Sequence, residues 1–147
     1  MRHGTCGTLI ALALVAMAAA AADRDAPAPK ARWVGSLVWA PQIPAFGGFS
    51  GLDTDAAGRS FRMVSDGGRT IAGQFRRDEA GRVVAIEAGD LLDLTDEDGK
   101  PVSRMRNDAE GLALLEGDAF AVSFEEVPRI EVHADATAAP RPLKRGL

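Results

Sequence analysis

Cysteine, histidine and aromatic residues are scarce in this chain: one cysteine, two histidines, no tyrosine and 5% aromatics in 147 residues. A single cysteine excludes an internal disulfide framework and a cysteine-rich zinc site. Two histidines are too few for a multi-histidine metal centre. Basic residues are also in the minority, 17 against 21 acidic, for a net charge of −4. Binding to nucleic acid by counterion release needs clustered Lys and Arg, so nucleic acid is not an expected partner. No uninterrupted apolar run reaches the roughly 20 residues that a transmembrane helix needs. With so few aromatics, the core has to come from Val, Ile, Leu and a handful of Phe.

The first 22 residues read as an address. Arg2 and His3 give a short basic start, Leu9 to Ala22 is apolar and uncharged, and Ala20-Ala21-Ala22 precedes Asp23. That is the pattern of a secretory signal peptide cut near Ala22, which predicts a periplasmic or secreted protein with no stable membrane anchor after cleavage. Cys6 and the phosphatase-like Arg2-His3-Gly4 would leave with it, and His133 would be the remaining histidine.

Residues 23–32 are a polar lead-in with Pro27 and Pro29. From Trp33 the texture changes. Trp33 to Trp39 is a β-rich run that stops at Pro41. Short β-runs then recur at Leu52–Asp55, Ser60–Ser65, Ile71–Arg76, Val83–Ile86, Leu91–Leu94, Leu112–Leu115, Phe120–Phe124 and Ile130–Val132. The turns between them carry Gly with Asp or Glu, the chemistry of hairpins. No segment beyond the leader keeps a helical period over three turns. The expected fold is all-β and antiparallel, one domain over residues 33–133, followed by an irregular tail at 134–147.

An internal repeat sharpens this expectation. Gly51-Leu52 and Gly111-Leu112 lie 60 residues apart, Phe61 and Phe120 lie 59 apart, and Ser65 and Ser123 lie 58 apart. A repeat of that length with several strands per unit is propeller-like, although two similar hairpins in a sandwich would share it. Gly51 and Gly111 would let neighbouring blades crowd at the axis.

The chemistry-bearing residues fall on the repeat. Asp66 ends one hairpin, Asp108 and Glu110 open the second, and Glu125 and Glu126 close it. If repeat-equivalent positions face one end of a channel, their carboxylates converge. A converging set needs a cation or a shared proton, and an oxygen-only set selects a hard cation such as calcium. Asp96-Glu97-Asp98 reads as an ordinary solvated turn. Arg69, Arg104 and Arg106 are candidates for holding an anionic group through their forked donors. Ser65 and Ser123 lack a nucleophile-elbow pattern, and His133, with Asp135 two residues on, reads as an exposed strand residue near a fraying end.

Taken together, Trp39, Phe46-Gly47-Gly48-Phe49-Ser50-Gly51-Leu52, Ser65-Asp66-Gly67, Asp108-Ala109-Glu110-Gly111-Leu112-Ala113 and Ser123-Phe124-Glu125 resemble the phytase-like domain family, also described as having esterase-like activity of phytase. The resemblance runs from about Trp33 to Val132. It implies a secreted bacterial β-propeller-like domain that hydrolyses phosphate or carboxylic esters of small molecules with metal assistance. By analogy with calcium-dependent propeller phytases it places metal ligands at Asp66, Asp108, Glu110 and Glu125. A closed propeller needs at least about four blades, and this length has room for roughly two to three. The chain therefore reads as an incomplete propeller, an N-terminal fragment of such a domain. A non-catalytic periplasmic binding propeller and an inactive truncated fragment are the alternatives. No catalytic base or nucleophile is legible.

Overall fold

A computed structural model of the protein describes residues 31–143. The leader, most of the lead-in and the last four residues lie outside the described residues. So does the predicted signal peptide. No helix occurs among the described residues. None therefore is long and apolar enough to cross a membrane.

The compact unit from Val34 onward holds two antiparallel sheets. The first contains β1 (Phe49–Thr54), β2 (Ser60–Ser65), β3 (Arg69–Arg77), β4 (Val83–Ala88) and the short β5 (Leu92–Asp93). They run β1-β2-β3-β4 in sequence order, with β5 also paired to β3, at Arg69 and Thr70. The second contains β6 (Ala109–Leu114), β7 (Phe120–Phe124), β8 (Arg129–His133) and β9 (Arg141–Pro142), again in sequence order. The all-β, antiparallel expectation holds. Each predicted run from Leu52 on contains a strand, several begin or end a few residues beyond the run, and the Leu91–Leu94 run shrinks to the two residues of β5. Arg141–Pro142 in the tail adds one short strand.

One predicted run is different. Trp33 to Trp39 forms no strand. β-propensity describes how a side chain fits a pleated surface, and a strand also needs an edge to bond with. Here residues 33–38 are exposed, and Trp39 at the end of the run packs. The Trp39 ring meets Phe46 at 4.8 Å and Phe61 at 5.9 Å, both edge-on. Phe46 meets Phe49 at 5.0 Å, and Phe61 stacks on Phe75 at 4.6 Å. This aromatic cover lies on the Phe61 face of the first sheet.

The repeat is real in three dimensions, and its register is finer than the spacing shows. In the first sheet Phe49 pairs with Ser65, then Gly51 with Val64, with a bulge between them. In the second, Ala109 pairs with Phe124, then Gly111 with Ser123, with a bulge at the same step. Ser50 and Glu110 are thus the extra residues of two equivalent bulges. The same register makes Ser123 the counterpart of Val64, and Phe124 the counterpart of Ser65. Ser65 and Ser123 do not occupy matching places, because β2 and β7 repeat at 59 residues, as Phe61 and Phe120 do, and these serines are 58 apart. Phe61 and Phe120 do match, pairing with Gly73 and His133 of the third strands.

β1 and β6 lie side by side and point the same way. The Ser50 hydroxyl donates to the Ala109 carbonyl at one end. The Leu114 N–H donates to Asp53 Oδ2 at 2.9 Å near the other. Gly51 permits this approach: a Cβ there would sit 3.2 Å from the Leu112 backbone nitrogen and 2.8 Å from Val64 Cγ2. The main core fills the junction. Val64 and Leu94 come from the first sheet's side. Ala109, Phe120, Val122 and Phe124 come from the second, with Leu112, Leu114 and Val102 packed against them. Alternation puts Phe120, Val122 and Phe124 on one face of β7, and each fully buried side chain of this kind contributes about 1.5–3 kcal/mol.

Candidate metal centre

The bulge in β6 creates the site. Asp108 lies just before the strand, and Glu110 is the unpaired bulge residue, so its side chain is redirected from the regular alternation. Glu125 follows β7 directly. Its N–H donates to the Asp108 carbonyl at 3.0 Å, which closes the end of the hairpin. Ala109 N–H also bonds the Asn107 carbonyl at 2.7 Å. These backbone bonds hold the three acidic residues at one end of the second sheet. One carboxylate oxygen from each of Asp108, Glu110 and Glu125 lies within 4.8 Å of the others. Asp108 is half-buried, and the two glutamates are exposed.

Three carboxylates so close repel one another unless a cation or proton intervenes. Oxygen donors alone, with solvent on the open side, suit a hard divalent cation that completes its shell with water and carbonyls. The residues present therefore fit a metal ion. They supply three of the six to eight oxygens that calcium takes.

Asp66 is not part of this cluster. It is the repeat counterpart of Glu125, and its N–H makes the matching bond, to the Gly48 carbonyl at 2.9 Å. The surroundings differ, however. Gly48 and Ser50 stand in the first repeat where Asp108 and Glu110 stand in the second. Gly48 has φ +62°, and a Cβ there would overlap the Asp66 carboxylate, which occupies that space. The first repeat thus brings one acid to its bulged end, and the second brings three.

The three candidate arginines lie on two segments of the chain. Arg69 opens β3, and its side chain pairs with Asp93 at 3.3 Å. Arg104 and Arg106 are exposed in the turn before β6. The Arg106 carbonyl accepts from Arg129 Nη2 at 2.7 Å. Arg129 also pairs with Glu131 at 2.6 Å and lies 3.7 Å over the Phe124 ring. Arg129 opens β8 as Arg69, its repeat counterpart, opens β3, the equivalence that the basic starts of the two runs show in the sequence.

His133 corrects an expectation. It is not an exposed end residue but fully buried, stacked on Phe120 at 4.9 Å with an interplanar angle of 5°. Pairing with Phe120 on the core-facing side of β7 accounts for this. Neither ring nitrogen has a hydrogen-bond partner of regular geometry. Ser65 Oγ instead accepts from Arg69 N–H at 3.2 Å. No Ser–His pair exists among the described residues.

A sizeable cleft lies elsewhere. It holds about 660 Å³ between the β1–β2 and β6–β7 turns, at the far end of β6 from the acidic cluster. Asp53, Thr54, Ser60, Arg62, Gln74 and Asp118 supply its polar lining.

An all-β chain of repeated meanders with an acidic cluster at a bulged strand end is what this geometry defines. Residues 44–145 match the phytase-like family, described as esterase-like activity of phytase. That match covers well over half of the chain, which belongs to this family. No curated protein and no solved structure matches the chain.

Proposed function

We propose that this protein is a secreted, periplasmic or extracellular, hydrolase of small-molecule phosphate or carboxylic esters, assisted by a calcium-like cation held at Asp108, Glu110 and Glu125. The convergence of these three carboxylates within 4.8 Å carries the reading. Family membership supports the ester-hydrolase class. The alignment of β1 beside β6 supports a propeller-like arrangement, with each meander as a blade. When bound, the cation would neutralise an anionic substrate and polarise the scissile bond. The chain's own part is to hold the carboxylates in register through the bulge and the Glu125–Asp108 backbone bond. Asp66 would serve as an outer acidic neighbour. Arg69, Arg104 and Arg106 would orient the anionic group, as fits guanidinium forks. The test is turnover of a chromogenic phosphate ester and a chromogenic acyl ester, each with and without chelator. Chelator-sensitive hydrolysis is expected, and turnover indifferent to chelator contradicts the reading.

One observation favours a second reading. The 660 Å³ cleft is at the opposite end of β6 from the carboxylates. A binding module, with the cation only stabilising the fold, would raise the melting temperature on binding a ligand without hydrolysing it.

A further inference from the structure

Phe120 links the two sheets through groups stacked on its ring. The Arg62 guanidinium, from β2 of the first sheet, lies 4.3 Å from the ring centroid. The His133 imidazole, from β8 of the second, lies parallel at 4.9 Å. Phe120 and His133 are both 0% exposed. Three buried polar atoms on this stretch of β8 have no partner of regular geometry among the described residues: both His133 ring nitrogens and Glu131 Oε2.

The charged and polar groups facing His133 come from three places. Glu131 is on its own strand. Asp135 and the Ala138 carbonyl are in the following turn, and Arg62 is on β2. Asp135 is already committed, accepting from Thr137 N at 2.7 Å and Ala138 N at 2.8 Å. Glu131 Oε1 is committed to Arg129 at 2.6 Å. Burial opposes protonation of His133 most strongly, with the Arg62 charge adding to it, while Glu131, the Ala138 backbone and Asp135 favour protonation without outweighing burial.

We propose that the Arg62–Phe120–His133 stack is an acid-operated release of the junction between the two sheets. Protonation places an imidazolium in a dry interior near a second cation, and Glu131 and the Ala138 backbone compensate its burial only in part. The imidazolium leaves the ring to reach water, and the contact between β1 and β6 loosens with it. Arg62 also lines the 660 Å³ cleft. Loosening the junction therefore widens that cleft, making it acid-responsive independently of any cation at the carboxylates.

The sign follows from His133 being held below its ordinary value of 6.5. The closed junction excludes a proton that the open one accepts. Closure is fully favoured above 6.5 and is lost as the pH falls below it.

Amide hydrogen exchange at pH 7.5 and pH 5.0, corrected for intrinsic rates, tests this. Leu114 is the direct reporter, because its N–H bonds Asp53 across the junction. Exchange in segments 49–54 and 109–114 is expected to rise about tenfold at the lower pH, while β3 and β4 stay protected. His133→Phe keeps the stack and removes the titration, so the rise disappears. His133→Gln is the second variant and gives the same result. The inference is overturned by an unchanged junction at pH 5.0, by an equal rise in both variants, or by a rise spread evenly over all strands.

Discussion

The Glu125 amide is hydrogen-bonded to the Asp108 carbonyl at 3.0 Å, and the Asp66 amide makes the same bond to Gly48 at 2.9 Å. One backbone arrangement thus closes both hairpins, and the side chains on it differ. In the second repeat it draws acids together. In the first it places one acid over a glycine.

That difference predicts the effect of filling the glycine. Gly48→Ala adds a Cβ in the left-handed region and into the Asp66 carboxylate. The backbone part costs about 1–2 kcal/mol. The double variant Gly48→Ala with Asp66→Ala removes the overlap and keeps the backbone cost. Urea denaturation of both should show partial recovery in the double variant.

Phe120 should be the most sensitive core position. It is completely buried and touches residues of both sheets. Phe120→Ala is expected to lower unfolding free energy by about 3–5 kcal/mol. Chemical denaturation followed by tryptophan fluorescence reads it directly.

The Asp53 carboxylate should matter more than its position near a turn implies. Oδ2 accepts from Leu114 N–H across the junction, and Oδ1 from Thr54 N–H at 2.8 Å. Asp53→Ala leaves a partly buried donor unpaired, at a cost of about 1–3 kcal/mol. Asp53→Asn retains an acceptor and should lose less. Thermal melts of the two variants side by side check the order.

Asp135 gives a pH-dependent prediction. The Thr137 hydroxyl and N–H, then the Ala138 N–H, hold its carboxyl below the ordinary value of 3.8. Its contribution is present above 3.8 and is lost as the pH falls through the lowered folded value. The melting-temperature gap between wild type and Asp135→Ala should therefore close in strong acid and stay open at neutral pH.

Much of the fold was legible from local pattern. Turn residues and short apolar runs marked the strands of both sheets, and the spacing of Gly51 to Gly111 and Phe61 to Phe120 marked the repeat. Register was not legible, because one residue more or less in a turn shifts every later pairing. Ser65 and Ser123 share a residue type and lie 58 apart, whereas β2 and β7 repeat at 59, which makes Phe124 the counterpart of Ser65. The carboxylates of Asp108, Glu110 and Glu125 were legible as a group, since they flank one hairpin. Asp66 was grouped with them on repeat position alone. Its separation depends on what stands at 48 and 50, which only the bulge register reveals. The burial of His133 was hidden for a similar reason: a terminal strand position reads as exposed until its partner, Phe120, is known.

Calcium titration calorimetry on wild type and on Asp108→Asn, Glu110→Gln and Glu125→Gln tests the central claim most directly. The account predicts saturable binding in wild type, weakened at least about tenfold by each substitution and little changed by Glu97→Gln in the solvated turn. No binding heat in wild type, or binding that all three substitutions leave intact, would contradict it.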